Sequence, residues 1–416
     1  MLVIAIVFIQ VKTNAQFNSL NPGASGGAMQ NNSVFNQDST IKKMDGDWDN
    51  DPPNIYYQTL KSEVKRYPDS ALNRFHRFQP QQPWWGKDLG NYGTAVRNQF
   101  FTPNAPIGLS LGYHIYDMYQ LSLDSLAFYN TARPYSSFSF MLGSKTEQQV
   151  EIMHTQNITP NWNFAGKIRY NTSTGFYQLL RANSLAGSFT TNYVSDNQRY
   201  KMMAAFSYNK FKQDENGGIV NDSFLRDSRF SDRQLIDVNL PSANGAGTRA
   251  AVSNVLRRAD FYIQNNYSFG KLDTLYNKDS TSVTYEFTPR FRFKHQLQLH
   301  SEKHLFTDNE PDSLRYLFID TIAVRRTDTI FGTQNWFYVD NKFSLNGFLG
   351  KNKELVLIEA GIGNRIDKLS TREEEGGSPV IMSNYVFGEI KKEALSEGQW
   401  SYQAAATFFF TGDAVG

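Results

Sequence analysis

Cysteine is absent from the 416 residues of the chain. Disulfides, thiolate nucleophiles and Cys-bound zinc or iron–sulfur centres are thereby excluded. Long apolar runs are missing too. A membrane helix needs about 20 consecutive apolar residues, and a mean hydropathy of −0.50 excludes a helical membrane protein. It does not exclude a transmembrane barrel, in which only alternate side chains meet lipid. Charge of one sign is also lacking. The 42 Lys and Arg against 40 Asp and Glu leave a net charge of +2, so no nucleic-acid partner is expected.

Catalytic and metal-binding patterns are equally scarce. His300 and His304 could share a metal on a helix, but the run leading into them reads as a strand, where four residues span about 13 Å. Gly23-Ala24-Ser25-Gly26-Gly27 matches Gly-x-Ser-x-Gly, yet it sits beside Pro22 in a polar stretch with no strand before it. Asp45, Asp47, Asp49 and Asp51 imitate the start of a calcium loop. The sixth and twelfth positions then hold Asn50 and Tyr56 where Gly and Glu are needed. A solvated acidic turn is the simpler reading. No Ser-His-Asp set, phosphate loop or paired carboxylate frame is found. The chain therefore reads as a non-enzyme without metal or cofactor.

What the chain does have is aromatic residues, 14% in all with 32 Phe, 22 Tyr and 6 Trp, set in alternating runs. In residues 283–299 every odd position is apolar except Pro289 and His295, and every even position is polar or charged. A period of two is a strand signal. A strand of that length reaches roughly 55 Å, whereas strands of soluble sheets usually have about 5–6 residues. Trp162–Tyr170, Tyr200–Tyr208 and Trp400–Phe410 repeat the pattern. Similar segments lie near 107–116, 135–142, 148–156, 186–194, 259–270, 335–347, 353–366 and 380–391. In two of these runs aromatics stand eight residues apart, about 26 Å along a strand, which suits the apolar band of an outer-membrane barrel with its girdles.

Connections alternate as well. Residues 157–160 and 348–352 suit short turns, whereas 211–258 and 367–379 read as long polar loops. Short turns at one rim and long loops at the other are the barrel pattern. A soluble sandwich or propeller would have shorter strands and one face polar for water. The expected fold class is thus all-β, an antiparallel transmembrane β-barrel of about 12–14 strands over 106–416, joined to a polar N-terminal arm. Residues 2–9 form an apolar stretch with a small-residue cleavage site at Thr13-Asn14-Ala15. Residues 1–15 are thus expected to be a signal peptide, although no Lys or Arg precedes the apolar stretch. Residues 16–105 are a polar arm and a candidate plug or periplasmic segment.

If the aromatic faces meet lipid, the opposite faces line a lumen. The lipid-facing or girdle candidates are Trp162, Tyr170, Tyr200, Tyr208, Phe291, Phe293, Trp400 and Phe408. The pore-lining candidates are Lys167, Arg169, Lys201, Glu286, Arg290, Arg292, Lys294 and Asp340. Rings of charge bias ion selectivity, so the cationic stretch Arg290–Lys294 would favour anionic solutes unless its charges pair with lumenal carboxylates. Pro289 lacks an N–H for the ladder, which predicts a bulge there or a place at the membrane boundary.

Several local motifs occur in a set order. They are Asp69-Ser70-Ala71-Leu72-Asn73-Arg74-Phe75-His76-Arg77-Phe78-Gln79-Pro80, Leu89-Gly90-Asn91-Tyr92-Gly93-Thr94-Ala95, Tyr129-Asn130-Thr131-Ala132-Arg133-Pro134-Tyr135, and Glu147-Gln148-Gln149 leading to His154-Thr155-Gln156-Asn157-Ile158. Together they resemble the putative porin family of Bacteroidota outer membranes, from roughly residue 60 onward. The resemblance implies a barrel in the cell outer membrane of a Gram-negative organism, in contact with outer-membrane lipid and acting as a passive diffusion channel for small hydrophilic solutes. The alternative is a plugged barrel that serves an outer-membrane export or surface complex through an outer-membrane protein partner. The chain ends Phe408-Phe409-Phe410-Thr411-Gly412-Asp413-Ala414-Val415-Gly416 without a terminal aromatic. This ending reads as a C-terminal truncation.

Overall fold

The computed structural model describes residues 55–68, 86–100, 109–240, 242, 250–276, 283–311, 330–349, 356–371, 379–392 and 401–411, all within one compact unit, Pro52–Gly416. The expected leader at 1–15, the acidic turn at Asp45–Asp51, the Gly23–Gly27 motif and Trp400 lie outside the described residues, as does the side chain of Glu286.

Eleven strands make one antiparallel sheet in which each pairs only with its neighbours in sequence. They are β6 (Tyr135–Leu142), β7 (Gln148–Thr159), β8 (Trp162–Ser173), β9 (Ala182–Val194), β10 (Tyr200–Glu215), β11 (Val252–Tyr276), β12 (Val283–Asp308), β13 (Ile330–Leu349), β14 (Val356–Thr371), β15 (Val380–Lys392) and β16 (Tyr402–Thr411). The strands nearest the N-terminus are short: β1 (Ile55–Thr59), β2 (Ser62–Arg66), β3 (Gly86–Lys87), β4 (Arg97–Asn98) and β5 (Phe128–Thr131). They form a three-stranded sheet in the order β2-β1-β5 and a separate β3-β4 pair. The all-β antiparallel architecture is as expected. Among the described residues the large sheet has eleven strands, against an expectation of about 12–14. The segment near 107–116 accounts for one of them: its described part is irregular and leads into a single 3-10 turn at Asp117–Tyr119. Its apolar alternation is broken where Gly112 adopts φ 80°, and Tyr116 is buried against the inside of the sheet instead of standing in it. Among the described residues β6 and β16 are unpaired edges, and no helix is long and apolar enough to cross a membrane.

The longest strands are β11 with 25 residues and β12 with 26. At about 3.3 Å per residue each runs roughly 80–90 Å, well beyond the thickness of a bilayer core. Their pairing shifts at one point: Phe269 faces Phe291 but Gly270 faces Pro289, so Arg290 is an extra residue. That is the bulge predicted at Pro289, which has no N–H to give the ladder. Gly270 is needed there, because a Cβ on it would stand 2.0 Å from the carbonyl oxygen of Thr288.

Period-two alternation gives the sheet two unlike faces. Phe138, Phe140, Ile168, Phe189, Phe206, Phe261, Phe343, Ile362 and Phe408 are exposed on one. Thr155, Asn163, Asn171, Ser207, Asn209, Gln264, Arg292, Glu302 and Asp367 are buried on the other. The polar face is buried because the described residues between 55 and 131 pack on it. Leu121, Leu123, Leu126 and Phe128 sit on Ala186, Met203, Ala205 and Tyr262. Tyr92, Val96, Tyr116 and Tyr119 sit on Phe211 and Leu256. Each large apolar side chain so covered contributes about 1.5–3 kcal/mol. Backbone polar groups of this inner segment are met by side chains of the sheet. Asn209 Oδ1 accepts from Leu121 N at 2.8 Å, Gln213 Oε1 from Ala95 N at 2.6 Å, and Thr190 Oγ1 donates to Ala127 O at 2.9 Å. One hairpin, β1–β2, reaches far-separated strands: Gln58 meets Lys201 on β10, Glu63 meets Arg292 on β12, and the carbonyl of Lys61 meets Lys391 on β15. In a flat sheet β10 and β15 would lie about 24 Å apart at the usual strand spacing. The sheet therefore curls around the inner segment.

Candidate functional site

The concave polar face is the candidate site. Alternation places its charges, and cross-strand register decides which of them meet. On β7 and β8, Glu151 faces Arg169 and receives both Lys167 Nζ and Arg169 Nε at 2.7 Å. On β11 and β12, Arg258 faces Glu302 and donates from Nε at 2.8 Å. The same guanidinium also holds the inner segment, through Asp117, Gln120 and the carbonyl of Tyr113. His300 Nδ1 hydrogen-bonds Asp260 Oδ1 at 2.7 Å and its ring stacks on Tyr338. Further round, Arg365 meets Asp367 at 2.8 Å and lies 4.1 Å over the Tyr338 ring, while Trp336 Nε1 donates to Asp367 at 2.9 Å. Tyr385 Oη donates to Asp340 at 2.5 Å, and Lys342 stands 3.2 Å from the same carboxylate. Gly363 makes room for that tyrosine, since a Cβ there would lie 2.2 Å from its ring.

A cavity of about 880 Å³ lies between β1–β2, the loop around Leu109–Asp124 and the inner face of β11–β16. Its wall mixes both charge signs with Tyr262, Trp336, Tyr338 and Tyr385. A second cavity of about 210 Å³ lies beside Tyr57, Tyr129 and Lys167. Glu63 projects into the larger cavity from β2 with its side chain 55% exposed, and Arg292 meets it from the wall. Withdrawal from bulk water works against the charge of Glu63. Arg292, Lys201 and Lys294 together outweigh this and hold its carboxyl below the usual carboxylate range. Burial raises the phenol of Tyr92 to about 12 and those of Tyr116 and Tyr119 further, so these groups stay neutral and act as packing residues, with Tyr116 Oη donating to Gln213 at 3.2 Å.

Lys167, Arg169, Lys201, Arg292, Lys294 and Asp340 all stand on the concave face, each with a partner. Arg292 takes Glu63 and Ser268, Lys294 takes both oxygens of Glu359 at 3.2 Å, and Lys201 donates to Gln58 at 2.7 Å. The stretch Arg290–Lys294 is thus not a row of free cations. Arg290 is exposed at the bulge, and the backbone of Glu286 pairs with Asp273. Trp162, Tyr170, Phe291, Phe293 and Phe408 are exposed on the opposite face, where Tyr200 and Tyr208 are half-buried. Sequence reasoning missed Arg258, Glu302, Glu359, Arg365, Trp336 and Tyr338. Parity counted out from Phe261, or from Phe343 on β13, would have put Arg258, Trp336 and Tyr338 on the polar face. The partnership of Glu63 with Arg292, 229 residues apart, carried no local signal. Among the described residues no cluster of three or more His, Asp or Glu could hold a metal ion.

A family model described as a putative porin matches residues 54–416, most of the chain. Comparison with curated proteins finds no match. A long-stranded antiparallel sheet with an apolar convex face, wrapped around a polar interior, is consistent with that match, and the chain belongs to the putative porin family.

Proposed function

We propose that the protein is a passive diffusion channel of a bacterial outer membrane, passing small hydrophilic solutes through a lumen lined by paired charges and narrowed by residues 55–131. One observation carries this reading: the two faces of one sheet have opposite chemistry. Phe, Ile and Leu side chains cover the convex face at exposures that would be costly in water, while Arg, Lys, Glu, Asp and Asn crowd the concave one. In lipid that arrangement inverts the cost, because apolar side chains meet acyl chains and the buried charges point to the interior. Membership of the porin family supports a channel role and gives no support to an enzymatic one.

Planar-bilayer recording of the refolded chain tests this. Discrete ohmic steps are expected, with weak ion selectivity because the wall charges are paired. A chain that inserts and gives no conductance with residues 55–131 either present or deleted overturns the proposal. The inner segment also supports a second reading, a plugged barrel that serves as a binding or assembly component with an outer-membrane protein partner. That reading expects no conductance from the intact chain, conductance after the deletion, and a co-purifying partner.

A further inference from the structure

We infer that Arg292, Lys201 and Lys294 form a lumenal binding site for solute carboxylates, occupied in this structure by the chain's own Glu63, so that hairpin β1–β2 is a tethered competitor. The inference rests on the channel reading for its route of access, and it concerns which solutes the lumen favours.

The wall side of the contact is built independently of its guest. Arg292 is buried, its Nε is held by Ser268 Oγ at 3.1 Å, and its guanidinium lies 4.8 Å over the Phe348 ring. These contacts aim Nη1 and Nη2 outward as a fork, and both reach the Glu63 carboxylate, one to each oxygen. A planar fork on a carboxylate is the strong, geometrically selective form of this pair. The guest side is lightly held. Glu63 is over half exposed to the cavity and stands on a five-residue strand whose only ladder partner among the described residues is β1. Among the described residues β2 is an edge strand of the small β2-β1-β5 sheet.

Charge and unmet polar groups point the same way. With the hairpin moved aside, Lys294 keeps Glu359 while Arg292 loses the carboxylate on its fork. Asn266, opposite Lys294 in the ladder, is 1% exposed, and neither atom of its amide has a partner. Asn346, opposite Arg292, is 2% exposed with Oδ1 unpartnered, and it lines the same cavity. A small dicarboxylate would set one carboxylate in the fork and the other toward Lys201 or Lys294, with these amides beside it. The cavity of about 880 Å³ has ample room for it.

Succinate is the probe, with sodium chloride at matched ionic strength and sucrose as the controls, all on the full chain. Hydrogen exchange of residues 55–66 in the detergent-folded protein should quicken in succinate and not in chloride. Glu63→Gln should bind succinate about tenfold more tightly, the gain expected when a competitor that covers the fork about nine-tenths of the time is removed. Arg292→Gln should lose the succinate response while sucrose permeation is kept, and heat-modifiable electrophoretic mobility shows whether each variant is folded. A folded wild type that is indifferent to succinate, or an Arg292→Gln variant with an unchanged response, overturns the carboxylate site even if the channel conducts. A succinate response in a chain that does not conduct retains the site and removes the channel.

Discussion

Two stretches of the same concave face are built differently. On β8–β10 many of the buried inward residues are small or neutral, namely Ala165, Ser173, Ala182, Ser184, Ala186, Thr190, Met203, Ala205, Ser207 and Asn209, although Lys167, Arg169 and Lys201 also face inward. On β11–β15 many of them are charged or aromatic, among them Arg258, Arg292, Glu302, Trp336, Asp340, Glu359, Asp367 and Tyr385. The small residues leave depth for Leu121, Leu123, Leu126 and Phe128 of the inner segment to reach the backbone of the sheet. Long side chains on the other arc stand up and pair among themselves, so the inner segment is held off and the larger cavity remains. One alternating pattern therefore builds a dry seat on one arc and a wet wall on the other. Side-chain length decides which.

Arg258 is where the comparison can be broken hardest, since it bridges the arcs. It stands on the wet wall yet grips Asp117, Gln120 and the carbonyl of Tyr113 in the inner segment. Arg258→Ala leaves Glu302, 4% exposed, without its main partner. Stranding a buried charge in this way costs about 3–5 kcal/mol. Urea unfolding in detergent should show that loss, and Glu302→Gln added to Arg258→Ala should restore part of it. A double variant no better than the single one would mean that Arg258 acts through packing alone.

Leu126→Ala tests the dry seat. Leu126 is 4% exposed, and truncating a buried leucine costs about 2–5 kcal/mol. Its effect should be concentrated on amide protection of residues 117–131. The comparison predicts that the same change at Leu345, 45% exposed on the convex face, leaves this protection unaltered. Equal loss from both would show that the inner segment is not seated by these contacts.

Gly363→Ala should be milder and confined to the wet wall. The new methyl group meets the Tyr385 ring, which must swing away and lengthen its bond to Asp340. Overpacking of this kind costs about 1–3 kcal/mol. The sheet should persist and the fluorescence of nearby Trp336 should change. Tyr385→Ala added to Gly363→Ala should relieve the strain, and absence of relief would refute the assigned contact.

The strands were legible because a period of two survives any curvature of the sheet. Residues 283–299 fall inside β12, and Pro289 marks its bulge. Residues 107–116 carry the same alternation, yet their described part does not enter the sheet. Gly112 turns the chain, and Tyr116 stacks on Phe211 of β10 from within. Periodicity reports two unlike sides of an extended chain and cannot tell a stave from a segment lying across the staves. The site was legible to the same depth. Arg292 and Lys294 followed from parity. Their partners Glu63 and Glu359 depend on a hairpin from the far end of the chain and on the register between β13 and β14. Neither leaves a mark in a local window.

The smallest expected effect is also the most specific to the wet wall. The folded chain holds the Glu63 carboxyl below its ordinary value of 4.5, because Arg292, Lys201 and Lys294 outweigh the opposing effect of burial. A depressed carboxylate contributes stability that is fully present above the unfolded value and disappears as pH falls through the folded one. The hairpin should therefore stay docked at pH 5–8 and loosen below about pH 4. With its side chain 55% exposed, the pair is screened, and a contribution of about 1 kcal/mol or less is expected. The chain has no cysteine, so paired spin labels at Arg66→Cys and Gln403→Cys report the hairpin-to-wall distance without background. The distribution should be narrow at pH 7 and broaden below pH 4, while Glu63→Gln should be broad at both. Leu126, in the dry seat, carries no charge, so protection of residues 117–131 should not follow this titration. If the two arcs loosen together on acidification, the division of the concave face into separately held halves is wrong.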